Sequence, residues 1–184
     1  MKILITGCAG FIGFHLSNSL ANKKHKIIGI DNLNNYYDVK LKKERLKILK
    51  KNINFQFIKS DIREYEKIKK IFKKYKPEIV VNLAAQAGVR LSVTEPSKYF
   101  DNNINGFYNI LEISRMQKIK HLVFASTSSV YGNTRNFPSN ENDNTDNPES
   151  FYAATKKVNE ILAYSFSKNF NLPISGLRFF TVYG

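Results

Sequence analysis

Apolar residues follow two rhythms along this chain. Six runs of strand length, at 2–6, 26–31, 54–59, 78–83, 121–126 and 174–179, are almost continuously apolar, as strands buried on both faces are. Between them, the segments 11–23, 38–51, 63–76, 96–117 and 151–169 repeat apolar positions at helical spacing. In 38–51 the expected buried stripe is Leu41, Leu46 and Leu49; in 63–76 it is Tyr65, Ile68, Ile71 and Phe72. Buried strands alternating with helices predict an α/β fold, a doubly wound parallel sheet with helices on both faces. The one low-complexity stretch, 132–150, is rich in Asn, Asp, Ser and Pro. It reads as a long surface loop, a kind that is often functional in a compact domain.

Length and composition narrow the function classes. The 184 residues suit one domain. At 42% apolar the chain can bury a core, which excludes global disorder. A single cysteine, Cys8, excludes a disulfide framework and a cysteine-based metal site, and it reads as a packing residue. No metal site is expected. Ile3, Leu4 and Ile5 are too few for a signal sequence, and no run approaches the ~20 apolar residues of a membrane span. The expectation is a cytoplasmic protein with no membrane partner. The net charge of +14 raises nucleic acid as a partner. Yet lysine supplies 23 of the 29 basic residues, and 13 of these lie between Lys40 and Lys76, mostly on two helical segments. Solvated basic helix faces explain that pattern. With no RNA-recognition, zinc-finger or helix-turn-helix signature, nucleic acid is the lesser alternative.

The first strand runs straight into Gly7-Cys8-Ala9-Gly10-Phe11-Ile12-Gly13, and an amphipathic helix follows. Glycines there let the chain turn tightly, bring backbone N–H groups against a pyrophosphate and pack helix on strand; the helix N-terminus supplies an anion site. The G-x-x-G-x-x-G spacing departs from the G-x-G-x-x-G dinucleotide fingerprint. Its context compensates: the second strand ends in Asp31, 24 residues after Gly7, where a carboxylate accepts from ribose hydroxyls and repels a 2′-phosphate. A Rossmann-type domain binding NAD rather than NADP is the expectation. The plainer alternative is a tight turn in which Asp31 only caps backbone.

Tyr-x-x-x-Lys occurs four times, at Tyr36/Lys40, Tyr65/Lys69, Tyr152/Lys156 and Tyr164/Lys168, as it must in a chain with 10 tyrosines and so many lysines. Position separates them. Only Tyr152 opens the helix after the fifth strand, on the carboxyl edge of the sheet where ligands of such folds lie. Spacing of four puts Tyr152 and Lys156 side by side. A nearby ammonium and a nicotinamide ring favour the phenolate, which makes Tyr152 a general base and lets Lys156 hold the nicotinamide ribose. The other three pairs read as packing tyrosines beside surface lysines.

These motifs resemble the extended short-chain dehydrogenase/reductase family, which includes NAD-dependent sugar-nucleotide epimerases and dehydratases. The resemblance implies that Asp61 and Ile62 flank the adenine. It further implies that Leu83, Ala84, Ala85 and Gln86 line the nucleotide, and that Asn103, with Asn32 and Phe179, belongs to the cofactor shell. In the stretch 126–132, Thr127 takes the place of the hydroxyl residue that shares a hydrogen bond with the reacting sugar oxygen. A serine-rich turn capping its own backbone is the alternative there. Dehydratases carry an acid two positions after that threonine; here it is Ser129, which disfavours dehydration and leaves epimerisation through a 4-keto sugar. The stretches 31–39, 82–90, 152–157 and 177–184 are similar to UDP-glucuronate 4-epimerases. By that resemblance the substrate is a UDP-sugar, Ser128, Ser129 and Thr181 hold its carboxylate, and a homodimer forms through helices 96–117 and 151–169. Arg90 has several open readings: a partner for the carboxylate, for a phosphate or for a neighbouring helix. Relatives continue past residue 184 into a substrate domain, so a UDP-glucose 4-epimerase and a non-catalytic NAD-binding module are the two alternatives.

Overall fold

Each of the six apolar runs forms a strand. The computed structural model of the chain describes residues 1–134 and 138–183; positions 135–137 of the long loop, and Gly184, lie outside the described residues. In chain order the elements are β1 (Lys2–Thr6), α1 (Phe11–Asn22), β2 (Lys26–Asp31), α2 (Val39–Leu49), β3 (Phe55–Lys59), α3 (Tyr65–Tyr75) and β4 (Ile79–Asn82). Then come α4 (Leu91–Thr94), α5 (Pro96–Tyr99), α6 (Gly106–Met116), β5 (His121–Thr127), α7 (Phe151–Phe170) and β6 (Ile174–Phe179). The strands form one parallel sheet in the order β3-β2-β1-β4-β5-β6, the doubly wound order of dinucleotide-binding domains.

Strand alternation sorts the core into two layers. Leu4, Ile28, Val80 and Leu122 face α3, α6 and α7 through Phe72, Ile110 and Phe166. Ile3, Ile5 and Ile27 face α1 and α2 through Ala21, Leu46 and Leu49. Cys8 is fully buried in this second layer, and burial, with the nearby Asp31 charge, pushes its thiol well up, as a packing residue requires. Among the described residues no helix is long and apolar enough to cross a membrane, and no cluster of His, Cys, Asp or Glu could hold a metal ion.

The structure corrects three expectations. β6 is an edge strand, and its Leu177 is 42% exposed rather than buried. On α2 the buried stripe is Lys42, Leu46 and Leu49, an i, i+4, i+7 set, whereas Leu41 is 46% exposed. One residue's step turns a side chain by about 100°, so Leu41 falls off the face that its apolar character suggested. The segment 96–117 is not one regular helix: a π-helical stretch, Phe100–Asn105, separates α5 from α6. That wider turn carries Asn103 at 1% exposure against the loop after β4.

Candidate functional site

The order of strands reverses between β1 and β4, and a cavity of about 480 Å³ opens at their carboxyl ends, the usual ligand crevice of an open α/β sheet. Gly7, at φ +71°, turns the chain out of β1; a Cβ there would stand 2.9 Å from the Ala84 backbone nitrogen. Gly10 N–H donates to Gly7 O at 3.0 Å. Gly13 packs so closely that a Cβ would lie 2.1 Å from Gly7 O. The first turn of α1 carries no acidic residue and no side-chain cap, so its unpaired N–H groups, from Phe11, Ile12 and Gly13, are left for an anion.

Asp31 and Asn32 form the β2 wall of this cavity, Asp61 and Ile62 the β3 wall, and Leu83, Ala84 and Ala85 the β4 wall. Asp31 does cap backbone. Its Oδ2 accepts from Ala9 N–H at 3.1 Å and its Oδ1 from Leu33 N–H at 2.8 Å; a second acceptor position stays on each oxygen. Asp61 is partly buried, which works against its charge. Hydrogen bonds from the Arg63 guanidinium and the Asn32 amide outweigh that and hold its carboxyl at about 2. Gln86 and Asn103 stand behind this lining. Asn103 accepts from Gln86 N–H at 2.7 Å and donates to Gln86 O and Thr155 Oγ1. It thus clamps the β4 loop to α7.

Cavity residues that the sequence did not reveal come mainly from the β2–α2 connection, Tyr36 and Tyr37, and from α2, Lys42 and Arg45. Lys42 Nζ donates to Asn34 O and Oδ1 at 2.9 and 2.6 Å, so it is not a solvated surface lysine. The helical offset between Lys42 and Leu46 was the available signal. Tyr36, read as a packing residue, also lines the cavity.

The Tyr152 group sits beside this cavity. Ser150 caps α7 by accepting from Ala153 N–H at 3.0 Å, which places Tyr152 in the first turn. Glu160, on the same face two turns on, accepts from Ser126 Oγ at 2.5 Å and pairs with Arg178 at 2.9 Å, fixing α7 against β5 and β6. Lys156, 3% exposed, then reaches β5 and donates to Ala125 O at 2.9 Å. Its Nζ is 6.0 Å from the Tyr152 ring centre. Tyr65/Lys69 and Tyr164/Lys168 have similar local geometry, at 5.4 and 5.7 Å. Tyr164, however, is 67% exposed, so burial rather than spacing distinguishes the pair. Tyr99 braces Tyr152 edge-on at 6.2 Å.

Protonation here differs from the expectation. Burial pushes the Tyr152 phenol up, the Thr127 hydroxyl pulls it partly back, and Tyr36 adds to the rise. Lys156 is not among the causes. Burial alone lowers Lys156 to about 8. In the cofactor-free chain, therefore, only the unfolded state holds the Lys156 proton between about 8 and the ordinary lysine value of ~10.4. Stability rises with pH through that window; above ~10 Tyr152 acts in the opposite sense, because the unfolded chain loses the phenol proton first. A urea midpoint that climbs from pH 8 to 10, and no longer climbs in Lys156→Met, is the expected result.

Thr127 does cap its own turn: its Oγ1 accepts from Ser129 N–H and donates to Ser129 Oγ, both at 3.2 Å. It also adjoins the Tyr152 hydroxyl. Ser128 and Ser129 are half-buried on the same turn, and Phe179 lies across from Thr127 on β6. The structure does not bring every predicted residue in. Arg90 is exposed at the start of α4 with no polar partner among the described residues, and Thr181 is exposed while Val182 lines the cavity.

The model of the GDP-mannose 4,6 dehydratase family matches residues 4–184. Protein CapI of Staphylococcus aureus is 54% identical over the whole chain, which covers 55% of that protein. A UDP-glucuronate 4-epimerase of Thermodesulfobacterium geofontis is 46% identical over 98% of the chain and 56% of its own length. The structure of UDP-glucuronic acid 4-epimerase from Bacillus cereus, in complex with UDP-glucuronic acid and NAD, superposes with a TM-score of 0.92 at 38% identity. It is matched over all of this chain and 58% of that one. The chain spans about half the length of the relatives it matches.

Proposed function

The chain belongs to the GDP-mannose 4,6 dehydratase family, and from that membership we propose that it is the NAD-binding and catalytic part of a sugar-nucleotide 4-epimerase interconverting UDP-glucuronate and UDP-galacturonate. The observation that carries the reading is the half-buried Tyr152 beside the buried Lys156 and Thr127 on the carboxyl edge, next to a glycine cradle that a Cβ at Gly13 would fill. The cradle and the open N-terminus of α1 suit a pyrophosphate, and Asp31 suits an unphosphorylated ribose. When bound, NAD supplies a hydride acceptor.

Tyr152 takes the proton of the sugar C4 hydroxyl as hydride leaves C4, and gives a proton back when the hydride returns to the other face. Thr127 hydrogen-bonds the same oxygen. Lys156, a cation held in a dry pocket, stabilises the phenolate once the site is charged and holds the nicotinamide ribose. The 4-keto glucuronate is a β-keto acid prone to lose CO2, so an epimerase must hold its carboxylate out of the geometry of that loss. Ser128 and Ser129 are the groups assigned to it. Ser129 also stands where a dehydratase needs a base, which favours epimerisation. The outer faces of α6 and α7 expose Tyr108, Ile161 and Tyr164, and they support a homodimer through these two helices.

The test is incubation of the protein with UDP-glucuronate and NAD+, followed by proton NMR of the anomeric signals. UDP-galacturonate forming to equilibrium is the expected result. Absence of any C4 epimer overturns the reading. Faster turnover of UDP-glucose reassigns the substrate, and binding of NAD without UDP-sugar identifies a non-catalytic module.

A further inference from the structure

The connection from β2 to α2, residues 32–38, crosses the mouth of the cavity. Five residues beyond Asp31 reach about 17 Å when extended, whereas β2 and β4 stand about 10 Å apart, two strand spacings across the sheet. The segment is long enough to bridge the cleft, and it is tied on each side. At its start, Asn32 Nδ2 donates to Asp61 Oδ2 at 2.8 Å. In its middle, Lys42 holds both oxygens of Asn34, and its ammonium stands 4.5 Å from the centre of the Tyr37 ring. The Tyr37 hydroxyl reaches Ala9 O in the glycine turn at 3.4 Å, with Arg45 Nη1 donating to both groups.

The far end is Tyr36, which lies against the opposite wall. A Cβ on Gly88, in the loop after β4, would stand 2.3 Å from the Tyr36 hydroxyl oxygen, and Gly88 itself is at φ +91°. That glycine is held in place, because the Tyr99 hydroxyl lies 2.7 Å from both Ala87 O and Gly88 O. The Tyr36 hydroxyl has no hydrogen-bond partner among the described residues, and the ring is 43% exposed. A bulky aromatic that is half in solvent, meets only the neighbouring Tyr37 ring edge-on at 6.4 Å and faces a glycine across a cleft contributes closure rather than core packing.

We infer that residues 32–38 form a strap that retains the bound dinucleotide, with Tyr36 closing it against Gly88. The inference rests on the dinucleotide reading above and extends it. An epimerase returns the hydride to the sugar it came from, so its cofactor has no need to leave between turnovers, and a closed strap suits that economy.

The experiment measures NADH dissociation by stopped-flow fluorescence, chasing the loaded chain with excess NAD+. Tyr36→Ala is expected to release NADH about tenfold faster, the effect of losing one aromatic contact of ~1.4 kcal/mol. Tyr36→Phe should stay within about twofold, since the hydroxyl has no partner to lose. Gly88→Ala should also speed release, by pushing Tyr36 off its seat. Independently of any variant, amide hydrogen exchange in 32–38 of the unmodified chain should slow when NADH is bound. Unchanged release in Tyr36→Ala, or unchanged exchange in 32–38, overturns the strap while leaving the dinucleotide reading intact. An unmodified chain that binds no NADH overturns that reading and the strap with it.

Discussion

Tyr152→Phe should lower the rate of C4 epimerisation by about 10²–10⁴-fold, the usual worth of a positioned general acid–base group. The substitution removes one oxygen from a half-buried ring and leaves its packing against Tyr99 unchanged. NAD affinity and KM should therefore stay close to their original values, with the loss confined to kcat. Steady-state kinetics with a parallel NAD titration separates the two quantities. Tyr65→Phe and Tyr164→Phe make the discriminating comparison, because each shares the Tyr-x-x-x-Lys spacing and the lysine-over-ring contact. Neither should change kcat. Equal losses in all three variants would contradict the assignment of Tyr152.

Gly13→Ala should produce the largest loss of stability of any single-methyl addition in the glycine turn. The new Cβ would meet Gly7 O at 2.1 Å, Gly7 C at 2.8 Å and Cys8 Cα at 3.0 Å. All three are backbone or backbone-attached atoms that cannot rotate away, so either the start of α1 or the turn itself must move. Overpacking of this kind costs about 3 kcal/mol. Because the turn that must move is the proposed pyrophosphate cradle, NAD binding should fall together with stability. Gly10→Ala provides the scale: its Cβ would stand 3.1 Å from the same oxygen, a contact that a shift of a few tenths of an ångström relieves. Urea midpoints and NAD titrations of the two variants should differ in that order; a Gly10→Ala variant harmed more than Gly13→Ala would show that the cradle is misassigned.

The alternation of elements, the glycine turn after β1, the place of Asp31 at the end of β2 and that of Tyr152 at the start of α7 were all readable from the chain. Each depends on a local period or on rank order along the sequence. What escaped depends on the third dimension. Lys42 is buried because α2 turns that face inward, and a charge count alone placed it in solvent. Glu160 and Arg178 fix the seating of α7, but they stand 18 positions apart on different elements. The hydrogen bonds of Asn103 to Gln86 and Thr155, which join the β4 loop to α7, had no signal in the sequence. The raised Tyr152 phenol shows the same limit. Spacing revealed the neighbouring lysine, but not the burial that raises the phenol.

The place of β1 in the middle of the sheet also sets an order of assembly. β1 meets β2 across 24 residues of chain, as in Lys2 with Lys26, whereas it meets β4 across 76, as in Ile3 with Ile79. Closing the longer loop costs about 1 kcal/mol more in chain entropy, and on a ribosome it waits for the later segment to emerge. The half comprising β1, β2 and β3 therefore forms first, with the glycine turn already shaped but only one of its walls in place. The second wall arrives with Leu83 and Ala84, when Thr6 Oγ1 donates to Asn82 Oδ1 at 2.7 Å. Acquisition of dinucleotide affinity thus marks the closing of that long-range seam, and it offers a kinetic probe of folding that reports on a single strand pairing.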